Sequence, residues 1–144
     1  MRLWSYQLIP FLPRQQLLSQ WRECVCIAKS IHVKGTPNHI LVNKIMDYPL
    51  SDLNKYCNIV LVEMLKRSYN VTSQSIHKLE DYIDFTVDSD EQFSHPFNGW
   101  HNERYIIQCF YNLQEKYNCG GISTNEWKIF VNGCCEITGK EFLP

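Results

Sequence analysis

The stretch RQQLLSQWRECVCIAKS, residues 14–30, decides the fold of this 144-residue chain. Its apolar residues recur at the spacing of a helix and form one stripe of Leu17, Leu18, Trp21, Val25 and Ala28. The opposite side carries Arg14, Gln15, Ser19, Arg22, Cys26 and Lys29. This pattern predicts an amphipathic helix that begins after Pro13, buries one face in the core and leaves the other free for a ligand.

Two further long helices are predicted. One begins after Pro49, with Ser51 or Asp52 as its cap, and ends near residues 66–67. The other runs from about Asn102 to Asn118 and is ended by two glycines. Their apolar stripes consist of Leu53, Cys57, Val60, Leu61, Met64 and Leu65, and of Ile106, Cys109, Phe110, Leu113 and Tyr117. We expect helix one to lie between these two helices, with Leu17, Leu18, Trp21 and Val25 buried.

The remaining segments are predicted to be shorter or irregular. A short helix is expected over residues 38–47, where Ile40, Leu41, Ile45 and Met46 are apolar. Residues 80–101 are rich in acids and turn formers, which is typical of a long loop. No stretch alternates cleanly between apolar and polar residues, so strands have little support. The sequence therefore predicts an all-α fold, a single compact domain over residues 1–144 with three main helices, short helices and long irregular loops.

The charge of the chain is divided unequally along its length. Residues 1–79 carry ten Lys and Arg against four Asp and Glu, a formal charge of +6, whereas residues 80–144 carry four against eleven, −7. A net charge of −1 therefore does not exclude a basic face that binds phosphates.

Three features bear on the cellular compartment and on bound cofactors: the cysteines, the N-terminal segment and the hydropathy of the chain. Seven cysteines are an odd number without the spacing of a disulfide scaffold or of paired zinc ligands, so we expect free thiols and no metal. The apolar residues 3–13 are interrupted by polar residues and prolines, unlike a signal peptide, and no segment has the apolar length of a membrane span. We expect a cytoplasmic protein without a cofactor.

A series of short blocks along the chain resembles the pyrimidine-dimer DNA glycosylases of the endonuclease V type. In both, an apolar N-terminal segment precedes a helix in which an Arg-Glu pair, here Arg22-Glu23, follows an aromatic residue. The likeness continues through residues 38–40, 61–71 and 101–103, and into Trp127-Lys128. The order and spacing of the blocks make the resemblance more specific than any block alone.

The resemblance implies a chemistry that needs only an amine and a carboxylate. The free α-amine of the chain would attack C1′ of a damaged nucleotide, expel the base and leave an imine, and Glu23 would then help to remove the C2′ proton. An α-amine suits this role because its pKa is about 7.8, compared with about 10.4 for lysine. The implied partner is double-stranded DNA with damaged or abasic sites, bound by a monomer. The implied DNA contacts are Arg2, Gln15, Arg22, Lys66 and Lys128.

The chain departs from the family pattern at several of these positions. The family's nucleophile is a threonine exposed by removal of the initiator Met, but Arg2 is too bulky for that removal, so we expect the amine of Met1 to serve. The family's arginine three positions beyond the glutamate is here Cys26, and its helix-one histidine is here Gln16. A non-catalytic module that binds nucleic acid or protein and keeps the fold is therefore the alternative to an enzyme.

Overall fold

The computed structural model describes residues 2–88 and 95–142, and every regular element within them is a helix. Five α-helices follow one another along the chain: α1 Arg14–Lys34, α2 Leu50–Lys66, α3 Ser73–Ile83, α4 Glu103–Asn118 and α5 Thr124–Thr138. Two 3-10 helices, Tyr6–Phe11 and Asn43–Asp47, precede α1 and α2. The prediction of an all-α fold is confirmed. No helix among the described residues is long and apolar enough to cross a membrane.

Helix α1 has the predicted amphipathic character but a slightly rotated core face. Leu17, Trp21 and Ala28 are buried as expected, whereas Leu18 and Val25 are only half-buried. The predicted burial of those two residues is wrong because the core face of α1 is centred on Leu17, Trp21, Cys24 and Ile27. This rotation also buries Gln16 and Gln20, two polar residues that the apolar pattern assigns to no face. Gly35, in the left-handed conformation with φ of 75°, ends the helix.

The helices pack as two groups that share the N-terminal segment. Helix α1 packs chiefly against α2 and α3, and α4 packs against α5. The predicted position of helix one between α2 and α4 is therefore wrong on one side, where α3 occupies the place expected for α4. The first 3-10 helix contacts both α2 and α5, so it joins the two groups.

The N-terminal segment, residues 2–13, runs through the core instead of lying on the surface. Leu3, Leu8 and Ile9 are fully buried. Residues 9–12 turn sharply, and the guanidinium of Arg67 at the end of α2 donates hydrogen bonds to the carbonyl oxygens of Leu12 (2.8 Å) and Pro10 (3.0 Å). The guanidinium thus supplies hydrogen-bond donors to backbone carbonyl oxygens that have no partner within a helix.

Two local predictions between α1 and α2 need correction. Neither Ser51 nor Asp52 caps α2, which begins directly after Pro49; the carboxylate of Asp52 instead accepts a hydrogen bond from the backbone N–H of Phe97 at 3.0 Å. The helix expected over residues 38–47 is a turn followed by the second 3-10 helix, and Ile40 and Leu41 are exposed instead of packed in the core. Asn38 has a φ of 57°, which a helix does not admit, so the chain turns there.

Candidate active site

Glu23 meets the start of the chain. It lies in the middle of α1, half-buried, and its Oε2 accepts a hydrogen bond from the backbone N–H of Arg2 at 3.3 Å. Residues 21 positions apart in sequence are thus in direct contact. Met1, the predicted nucleophile, lies outside the described residues.

Gln20 joins the N-terminal segment to the same carboxylate. Its side chain is 1% exposed, its Oε1 accepts from the backbone N–H of Trp4 at 2.9 Å, and its Nε2 donates to Glu23 Oε2 at 3.4 Å. Because positions 20 and 23 are about one helical turn apart, they present their side chains on neighbouring parts of one face. A single amide therefore sets the position of Trp4 relative to the Glu23 carboxylate.

Two tyrosines hold the N-terminal segment from the other side. The hydroxyl of Tyr56 on α2 donates to the carbonyl oxygen of Trp4 at 2.6 Å, and the hydroxyl of Tyr105 on α4 donates to that of Leu3. Burial raises the pKa of both tyrosines above the usual value. Both hydroxyls therefore keep their protons and remain donors at any physiological pH.

The side chain of Arg2 reaches α4. Its positive charge lies close enough to Tyr105 and Cys109 to lower the pKa of each, in opposition to the effect of burial. Burial nevertheless dominates at Cys109 and raises the pKa of its thiol to about 11. The thiol is therefore neutral and carries no negative charge that would pair with Arg2.

Two cavities open around Arg2. The Glu23 cavity, about 640 Å³, is lined by residues of the N-terminal segment, α1 and α4, among them Arg2, Gln15 and Glu23. The Trp100 cavity, about 540 Å³, is lined by Trp100 and by three cationic residues, Arg2, Lys44 and Arg104. Leu41 and Asn112 border both cavities, so the two form neighbouring parts of one depression.

His101 packs in the core against Trp100 and Tyr105, two residues that line the Trp100 cavity. It is 6% exposed and packs among aromatic rings, including Phe97, Trp100 and Tyr105. Its Nδ1 accepts the backbone N–H of Tyr6 at 3.1 Å, and burial lowers its pKa to about 3, so the imidazole is neutral. The backbone N–H of His101 donates to the carbonyl oxygen of Phe97 at 3.0 Å and closes a turn before α4, whereas the side chain of Asn102 caps that helix.

His39 begins the turn that precedes the second 3-10 helix. Its carbonyl oxygen accepts from the backbone N–H groups of Val42 (2.9 Å) and Asn43 (2.8 Å). Its ring nitrogen Nδ1 accepts from the N–H of Leu41 at 3.3 Å.

The predicted DNA-contact residues are distributed unevenly. Arg2 and Gln15 line the Glu23 cavity together with Glu23. Arg22, Lys66 and Lys128 are exposed on α1, α2 and α5 and line neither cavity. The structure thus brings three of the predicted residues together and leaves three outside the depression.

Two glutamines of the site were given no role by the sequence, although Gln16 stands where the family has its helix-one histidine. Gln20 makes the link described above, and Gln16, 8% exposed, lines the Glu23 cavity with an Oε1 that has no hydrogen-bond partner in the described part of the chain. The signal was present in the spacing, since positions 16, 20 and 23 lie on one helix face. Among the described residues, no group of three or more His, Cys, Asp or Glu is placed to hold a metal.

The fold and the site together define a class of all-helical proteins that hold the start of the chain against a glutamate on the first long helix. A family model described as pyrimidine dimer DNA glycosylase matches residues 1–77. The chain belongs to the pyrimidine dimer DNA glycosylase family. The matched part contains the N-terminal segment, α1 and α2, hence Glu23 and Gln20, whereas α4 lies beyond it. No curated protein and no solved structure matches the chain.

Proposed function

We propose that this protein is a DNA glycosylase with abasic-site lyase activity, which acts on damaged pyrimidines in double-stranded DNA, pyrimidine dimers among them. The observation that carries the proposal is the 3.3 Å contact between the backbone nitrogen of Arg2 and Glu23 Oε2. A glycosylase of this kind needs a nucleophilic amine beside a carboxylate, and this contact brings the beginning of the chain to a carboxylate.

The proposed nucleophile is the α-amine of Met1. The proposal is supported by the neighbouring residue, since Met1 is bonded directly to the Arg2 nitrogen that contacts Glu23 Oε2. Because Arg2 is too bulky for removal of the initiator Met, we expect mass spectrometry of the purified protein to find Met1 at its N-terminus.

The reaction would proceed in two stages. The neutral amine forms a bond to C1′ as the bond between C1′ and the base breaks, and the base leaves with the electron pair. Loss of the amine proton and opening of the sugar ring give an imine, with the ring oxygen converted to a hydroxyl. Glu23 then accepts the C2′ proton, the C3′–O bond breaks, and the phosphate leaves, which cuts the strand. Water hydrolyses the imine and restores the amine.

The surrounding residues supply binding and not bond chemistry. Arg2 and Gln15, which line the Glu23 cavity, would contact the damaged nucleotide, while Arg22, Lys66 and Lys128 would bind phosphates further along the duplex. These three side chains lie outside the depression, but a DNA duplex extends beyond it and could contact them there.

Reduction of the imine tests the proposal directly. With a duplex that contains an abasic site, borohydride is expected to trap a covalent protein–DNA complex, and prior acetylation of the α-amine is expected to abolish it. Glu23→Gln removes the proton acceptor but keeps the shape, so we expect trapping to persist while strand cleavage falls by about 100-fold or more. Glu136→Gln, an exposed carboxylate on α5, is the matched control and should cleave like the wild type.

Two results would contradict the enzyme assignment. One is equal cleavage by the acetylated and the free protein, and the other is a failure to trap an imine at any pH between mildly acidic and mildly basic. In either case, the non-catalytic module that binds nucleic acid or protein becomes the better description.

A further inference from the structure

Two adjacent branched aliphatic side chains are exposed beside the active site. In the turn formed by residues 39–42, called here the apolar turn, Ile40 is 86% and Leu41 51% exposed. Exposure of single apolar residues is ordinary, but two neighbours at the tip of one turn leave a continuous apolar surface in water. Such a surface is typical of a binding contact.

Hydrogen bonds and two buried side chains define the conformation of the apolar turn. The side chain of Asn43 accepts the backbone N–H of His39 at 2.9 Å, and His39 in turn accepts the N–H groups of the next residues, as described above. Val42 and Ile45, buried at 0% and 1%, anchor the turn in the core. Ile40 and Leu41 are therefore presented by a hydrogen-bonded turn that is anchored in the core.

The position of the turn indicates what it contacts. Leu41 borders both the Glu23 cavity and the Trp100 cavity, and Ile40 borders the latter. The described residues that line the Trp100 cavity include three cations and no carboxylate. An apolar tip with three cations on one side fits a partner with an anionic exterior and an apolar interior, which describes the phosphate backbones and stacked bases of DNA.

We propose that Ile40 and Leu41 form a wedge that enters the base stack of the duplex next to the damaged nucleotide. This inference rests on the proposed function, because the wedge acts on the DNA that the Glu23 site would process. To reach C1′, the damaged nucleotide must leave or distort the stack, which unstacks its neighbours. The two aliphatic side chains fill the space that opens and replace the lost stacking contacts with apolar ones.

The wedge predicts different effects of a substitution on duplex and on single-stranded substrates. An abasic site in a single strand has no ordered duplex to open, so the wedge contributes little there. The variant Ile40→Ala/Leu41→Ala is expected to lose strand cleavage about 10-fold or more on a duplex with one abasic site, but less than about threefold on the same strand alone. The measured quantity is the ratio of the two rates, which a general loss of folding or of chemistry does not change.

The chain offers a matched control. Leu65 on α2 and Ile129 on α5 are 55% and 56% exposed and border neither cavity of the depression. The variant Leu65→Ala/Ile129→Ala removes the same atoms from exposed sites elsewhere, and its ratio of duplex to single-strand cleavage should equal that of the wild type. Thermal unfolding of both variants checks that they fold. We expect both to fold, because the substituted side chains are exposed.

A fluorescent base tests the wedge independently of whether the protein cleaves DNA. 2-Aminopurine placed beside a stable abasic-site analogue in the duplex becomes brighter when it loses its stacking partners. We expect the wild type and the control variant to raise its fluorescence on saturating binding and the Ile40→Ala/Leu41→Ala variant to leave it low. An equal rise with all three proteins, or equal loss of cleavage on both substrates, would overturn the wedge. If the wild type cleaves neither substrate, the proposed function fails, and the fluorescence still decides the wedge.

Discussion

At the scale of single residues, Gln20 shows how much one buried amide can position. It accepts from Trp4 and donates to Glu23, so it couples the path of the N-terminal segment to the orientation of the carboxylate. A buried polar side chain is retained without a large cost only when its hydrogen bonds are made, and both ends of this amide are used.

Replacement of Gln20 should therefore affect both stability and chemistry. Gln20→Ala leaves the buried N–H of Trp4 without an acceptor, which is expected to lower the free energy of unfolding by about 1–3 kcal/mol, measured by urea denaturation. Gln15→Ala, exposed on the same helix, is the control and should change it by less than about 0.5 kcal/mol. A Gln20→Ala protein as stable as this control would show that the amide is dispensable.

Gln20→Glu separates the two roles. It keeps an oxygen for Trp4 but places a second carboxylate against Glu23, where like charges raise the pKa of the pair. We expect the acidic limb of the rate profile for strand cleavage to move to higher pH, because Glu23 must be ionised to accept the C2′ proton. A purely structural role for Gln20 would leave that profile in place.

At the scale of elements, the N-terminal segment depends on a close approach to α5. The ring of Phe11 lies against Gly133, where a Cβ would be only 2.3 Å from Phe11 Cγ. Because Gly133 has no side chain, the 3-10 helix Tyr6–Phe11 can pack closely against α5. The path of residues 2–13, and with it the contact of Arg2 with Glu23, depends on this packing.

Gly133→Ala tests this packing. The added methyl group must displace the Phe11 ring, so we expect the free energy of unfolding to fall by about 1–3 kcal/mol, although alanine favours helices. Asn132→Ala, exposed at the preceding position of α5, gives the helix propensity effect alone. Equal thermal stability of the two variants would mean that Phe11 moves aside without cost.

At the scale of the whole molecule, the fold compensates for the unequal charge of the chain. The Trp100 cavity combines Arg2 and Lys44, from the basic part of the sequence, with Arg104 from the acidic part. Cations from distant segments therefore face one depression, and a net charge of −1 conceals a locally positive surface.

The contribution of phosphate contacts can be measured from salt dependence. Arg22→Ala should weaken DNA binding on all sequences alike and reduce the slope of log affinity against log salt by about 1. Lys34→Ala removes a charge from the same helix about 18 Å away, at its far end, and should leave the slope closer to that of the wild type. An unchanged slope for Arg22→Ala would show that Arg22 makes no phosphate contact with the DNA.

By itself, the sequence determined the helical class, most of the apolar core and the family. Periodicity reports which residues of one helix share a face, so Leu17, Trp21 and Ala28 could be placed, and the family blocks pointed to Glu23. Only the tertiary structure decided which distant groups meet. Arg2 and Glu23 come together because Tyr56 and Tyr105, on other helices, hold the segment between them, and the turn at Asn38 exposes Ile40 and Leu41. Contacts of this kind depend on the packing of all the helices at once, and no local pattern carries that information.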